Sequence, residues 1–93
     1  ESQSGVDRKE ALELVPKVRK VAAQFPQDAA VFAALAEAEF DAGNDEAAVA
    51  AADKAIALDR TQTTAYVQKG YALFRMAEAA PGEKKAAAMT AAP

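Results

Sequence analysis

Three residues of this chain recur in kind 34 positions later. Phe32 is matched by Tyr66, Ala36 by Gly70 and Phe40 by Phe74. Each set is an aromatic, a very small residue four positions on, and a second aromatic four further. A spacing of four lines side chains up on one face of an α-helix. A constant period of about 20–50 residues is the mark of stacked units, each of which buries its apolar face only against its neighbours. One period here holds two helices, so the repeat constrains the fold more tightly than any single residue does.

The punctuation agrees with that reading. Asp7 with Glu10 has the form of a capping box and opens a helix running to about Gln24. Ala11, Leu14, Val15, Val18, Val21, Ala22 and Phe25 fall at helical spacing along it. Pro16 lies inside this pattern and lacks an N–H, which predicts a kink or a later start. Pro26 stops the first helix, and Asp28 caps a second over about residues 29–42 with a stripe of Val31, Phe32, Leu35, Ala36 and Phe40. Gly43 and Asn44 end it. Asp45 and Glu46 then place negative charge in the first turn of a third helix reaching Leu58, where it suits the helix dipole. Thr61 or Thr63 is expected to cap a fourth helix carrying Tyr66, Val67, Gly70, Leu73 and Phe74.

No stretch alternates apolar and polar residues as a half-buried strand does. The expected fold is all-α, with antiparallel neighbours joined by short loops. Residues 1–6 read as a disordered lead-in, residues 7–80 as the helical repeat domain, and residues 81–93 as a partial helix or linker beyond Ala80-Pro81-Gly82.

The third helix is made largely of alanine, the best helix former and the one with the least side chain. Its expected inner face is Ala48, Val49, Ala52, Ala55 and Ile56, with Ala47, Ala50, Ala51 and Ala57 outside. Small inner residues let backbones approach while Phe32, Leu35, Tyr66 and Phe74 fill the space between. Gly70 inside a helix costs about 1 kcal/mol relative to alanine, which again predicts close packing there.

Taken together, these residues resemble the tetratricopeptide repeat family, whose 34-residue unit is a helix hairpin. The fullest match is residues 29–62: Phe32 at the usual tryptophan position, then Leu35 and Ala36, Gly43 in the turn, Ala48 and Ala55, and the ending Ala57-Leu58-Asp59-Arg60. Residues 63–80 match the first helix of a next unit, and residues 11–28 the second helix of a preceding one. Departures are Arg60 for proline, Glu39 for an aromatic whose packing Phe40 would assume, Lys69 where Leu35 would recur, Ala52 for a large aromatic, and Pro16. The resemblance implies a short right-handed α-solenoid. A chain holding less than three units is expected to be a fragment of a longer array.

Composition narrows the chemistry. Among 93 residues there is no cysteine, histidine or tryptophan, which removes thiolate metal sites, disulfides and the commonest neutral-pH acid/base. No calcium-loop spacing, glycine-rich phosphate loop or catalytic constellation is present. Glu37 and Asp41 lie four apart on one helix, and would share a face with Asp45 or Glu46 only if the hairpin turned unusually. The expectation is a non-catalytic protein with no cofactor. Net charge is −3, and acids concentrate between Asp28 and Asp59, where Lys54 is the one base. That balance speaks against nucleic acid and for a basic partner. No apolar run reaches the roughly 20 residues of a membrane span. Both cytoplasmic and periplasmic locations are compatible with these features.

By the resemblance, the first helix of each unit lines a concave groove that holds an extended peptide or a partner helix. The corresponding residues are Ala30, Ala33, Ala34, Glu37, Phe40 and Asp41 in one unit. Thr64, Val67, Gln68, Tyr71, Phe74 and Arg75 correspond in the next. Family members that clamp a terminal carboxylate use lysines and asparagines where this chain has Ala33, Ala34 and Glu37, so that clamp is not expected. The implied partner is a protein or peptide of basic or apolar character. Two rival readings are self-association through exposed solenoid ends, giving a homodimer, and RNA binding by a related 35-residue hairpin repeat, which the acidic face disfavours.

Overall fold

In the computed structural model, residues 8–79 are described. They form four helices and, within that range, no strand: α1 (Arg8–Gln24), α2 (Ala29–Asp41), α3 (Asp45–Leu58) and α4 (Thr63–Ala79). The protein is all-α. The expected segments 1–6 and 81–93, with Asp7 and Ala80, lie outside the described residues.

Local chemistry accounts for the helix ends. The Asp28 carboxylate accepts from the backbone N–H of Ala30 at 3.0 Å and of Val31 at 3.3 Å, satisfying two otherwise orphaned donors of α2. At the other end Asn44 N–H donates to the Glu39 carbonyl and Gly43 N–H to the Phe40 carbonyl. This is the paired closure of a Schellman motif, and it needs a left-handed residue, supplied by Gly43 at φ 89°. Thr61 departs from expectation. Its hydroxyl and its N–H both donate to Asp59 Oδ1, at 2.7 and 2.9 Å, so it serves the turn after α3 and does not cap α4. Thr63 is the first residue of the helix itself. Pro16 brings no later start either, since α1 is helical from Arg8.

Helix α2 is the hub. It packs against α1, α3 and α4, while α3 also packs against α4 and α1 meets α2 alone among the described helices. The core between them is alanine. Ala36, Ala48, Ala52, Ala55 and Ala65 have no exposed surface, and no large side chain is fully buried among the described residues. Phe32, Leu35 and Ile56 pack half-buried around this seam. A second cluster joins Ala11 and Val15 of α1 to Ala38 of α2 and its cap Ala42, with Val18 beside it. Helices that touch through methyl groups approach closely, and the larger side chains are pushed to the margins of the contact.

Several expectations about the core are corrected. Ala51, assigned to the outside of α3, is buried. Tyr66 and Phe74 do not fill the interior: they are 48% and 67% exposed, and α4 is held by Ala65 and Ala72. Gly70 is not closely packed within the described residues, because a Cβ built there would meet nothing within 4 Å. On α2 the residue that goes inside is Glu39 itself, while its neighbour Phe40 stays half-buried.

Candidate functional site

Of the twelve residues expected to line a groove, the fold brings four into one cluster where α2 ends and α4 passes. The Phe40 and Tyr71 rings lie 5.8 Å apart at 35°. The Arg75 guanidinium sits 3.8 Å from the centre of the Phe40 ring, a cation–π contact. Arg75 Nε donates to both carboxylate oxygens of Asp45, at 2.8 and 3.1 Å, and Nη2 donates to Asp45 and to the Phe40 carbonyl. Asp41 completes the group. Burial pushes its carboxyl above the ordinary aspartate value, and the Arg75 charge pulls part of the way back.

The hairpin does turn so that Asp41 and Asp45 approach one cation. Arg75 is then spent internally, with one edge on Asp45, its face on Phe40 and a further N–H on the α2 carbonyl. It ties three helices together and caps the C-terminal end of α2, whose carbonyls lack intrahelical donors. What remains open to a ligand is Tyr71, exposed beside this cluster, with Val67 and Thr64 further along α4. On α2 Ala30, Ala34 and Glu37 are exposed, and Ala34 lies toward α1. Ala33, from the same expected set, is buried and forms floor, not lining. Gln68 is half-buried, and its Oε1 is a buried acceptor without a partner among the described residues. Phe74 falls in line with Tyr66 and Gly70, on the side of α4 opposite Ala65 and Ala72, and does not join the group.

A polar knot that periodicity did not reveal lies on the far side of α2. Glu39, 2% exposed, accepts from Arg19 Nε at 2.7 Å, Arg19 Nη2 at 3.0 Å and Asn44 Nδ2 at 2.9 Å. Burial pushes the Glu39 carboxyl up. The hydrogen bonds from Arg19 and Asn44, with the Arg19 charge, outweigh this and hold it below the ordinary glutamate value. The signal available in the sequence was a glutamate at a position of otherwise apolar character. Its partner was not available, because Arg19 lies 20 residues away on another helix. A further pair, Lys69 Nζ to Asp53 Oδ1 at 2.7 Å, links α4 to α3 at the surface. It also gives Lys69 a place where the repeat would have put a leucine.

An apolar cleft of about 320 Å³ opens between α1 and α2, lined by Leu14, Lys17, Val18, Val21, Val31 and Ala34. A more polar cleft of about 500 Å³ lies at the interhelix turns around Asp28 and Asp59, whose carboxylates are already engaged in capping and turn bonds. Among the described residues no group of three or more acidic, histidine or cysteine side chains is placed to hold a metal ion, and no helix is long and apolar enough to cross a membrane. No family model, no curated protein and no solved structure matches this chain.

Proposed function

We propose that this chain is a non-catalytic protein-interaction module of tetratricopeptide-repeat type, part of a right-handed helical solenoid, which holds an extended peptide or partner helix along the surface shared by α2 and α4. The observation that carries this reading is the pairing of Phe40 with Tyr71 across the two helices, which leaves Tyr71 exposed, with Val67 exposed one turn before it on α4 and Glu37 exposed on α2. An exposed aromatic on a rigid, already ordered support is a favourable anchor, because little freedom is lost when it is covered. With Arg75 neutralised by Asp45, the rim is left acidic, which suits a ligand with an apolar side chain followed by a lysine or arginine. The packing of α2 on both α3 and α4 supports the repeat arrangement.

The test is capture from lysate by the wild-type chain and by a Glu37→Lys, Tyr71→Ala double variant whose helicity is verified by circular dichroism. A partner retained by the wild type and lost by the variant, with affinity falling as salt rises from about 0.05 to 0.5 M, is the expected result. Equal retention by both proteins would refute the groove.

A further inference from the structure

Helix α4 is apolar on two opposite sides. One side, with Ala65 and Ala72, is buried against the rest of the fold. The other carries Tyr66, Val67, Gly70, Leu73 and Phe74, all exposed. A surface helix normally turns a polar face to water, and one that is apolar all round is covered on both sides. The bare side has a feature that selects its cover: its apolar residues are symmetric about Gly70. Val67 and Leu73 stand three positions before and after it, Tyr66 and Phe74 four, and Thr63 and Ala77 seven.

We propose that this face pairs with the same face of a second copy of the chain, the two α4 helices crossing antiparallel with Gly70 at the two-fold axis. In that arrangement Tyr66 lies level with the partner's Phe74, Val67 level with the partner's Leu73, and the two glycines face each other. An isologous contact requires such self-complementarity. The glycine then has a reason. A side chain at position 70 meets nothing inside the described fold, yet at the axis its absence lets two backbones come together. The charges agree as well. Both cations of α4 point elsewhere, Lys69 onto Asp53 and Arg75 onto Asp45, so the seam brings no unpaired like charges together.

The size of the patch sets the class of interface. Tyr66, Val67, Leu73 and Phe74 are 48%, 41%, 46% and 67% exposed. With a covered aromatic burying about 150–250 Å², the face offers about 450 Å² per copy and about 900 Å² in the pair, the size of a reversible dimer and not of an obligate one.

The experiment is sedimentation equilibrium of the full chain from about 5 to 500 μM, a range suited to an interface of this size, joined to oxidative cross-linking of single-cysteine variants, which the cysteine-free sequence makes unambiguous. The expected mass rises toward two chains with concentration. Gly70→Cys couples to itself, because residues at the axis come within disulfide reach, while Ala30→Cys, on the α2 surface, stays uncoupled. Gly70→Glu keeps its helicity and raises the dissociation constant at least tenfold. A mass of one chain throughout, with Gly70→Cys uncoupled, would overturn the proposal and point to residues 80–93 as the cover. Dimerisation unaffected by Gly70→Glu, or equal coupling of Ala30→Cys, would overturn it in favour of another face. None of these readouts varies Glu37 or Tyr71, the two residues changed to test the groove, and Val67 is the one residue the two surfaces share.

Discussion

The alanine seam makes a sharp prediction for Ala52→Leu. Leucine adds three carbon atoms to a position with no exposed surface. Were there free space, burying them would contribute roughly 2–2.5 kcal/mol at about 0.8 kcal/mol per methylene. There is none. Ala52 clusters with Ala33, Ala36, Ala51, Ala55 and Ala65, a set drawn from α2, α3 and α4, and the nearest large side chains already lie at its edge. The added atoms can be placed only by separating the helices, which exposes the other alanines of the seam. Overpacking of this kind costs about 1–3 kcal/mol. A net loss of about 2 kcal/mol corresponds, for a domain of this size, to a fall in Tm of about 8–16 °C. Thermal and urea unfolding followed by circular dichroism measure it, with Ala50→Leu on the exposed side of the same helix as control. Ala50→Leu is expected to change stability by less than about 0.5 kcal/mol. If Ala52→Leu were as stable as the control, or more stable, the helices would not be in methyl-to-methyl contact and the account of the thin third helix would be wrong.

Two further predictions concern single positions. Gly43→Ala and Gly70→Ala should act with opposite sign: the first forces a side chain into left-handed backbone beside the Arg8 guanidinium and costs about 1–2 kcal/mol, and the second removes a mid-helix glycine in open space and stabilises by about 1 kcal/mol. Denaturant midpoints at low protein concentration, where the chain is a monomer, decide this, and a shared sign would refute it. Glu39, held below its ordinary value in the folded chain, contributes stability that is complete above the unfolded-state value and is lost as pH falls through the folded-state value. Asp41, raised by burial, contributes with the opposite sign. Unfolding free energy measured from about pH 7 down to pH 3 should therefore fall less steeply for Glu39→Gln than for the wild type below about pH 4.5. Parallel curves would mean that Glu39 is not ionised inside the fold.

The features legible in the sequence are those governed by neighbouring residues. Asp28 and Gly43 act on backbone groups within a few positions of themselves, so the three-helix stretch from Ala29 onward could be placed nearly residue for residue. Capping by Thr61 failed for the same kind of reason: its N–H and hydroxyl both donate to Asp59, two residues away, which holds Thr61 in the turn before α4 begins at Thr63. A third of the expected groove residues, four of twelve, come together in the candidate site. These are Phe40, Asp41, Tyr71 and Arg75, although repeat register gave no hint that Arg75 would be consumed by Asp45.

What the tertiary structure alone decided is which of many similar residues go inside. The sequence presents alanines on nearly every side of α3, and period and composition cannot rank Ala51 against Ala57. Burial of Ala51 depends on where α2 and α4 cross it. Glu39 can enter the interior only because Arg19 and Asn44 arrive from other elements to replace the water it loses. By itself the sequence determined helices, their ends and their 34-residue rhythm, because these rest on local hydrogen bonds and spacing. The choice of buried face, the fate of each charge and the bare side of α4 rest on contacts between residues distant in the chain, which only the assembled helices create.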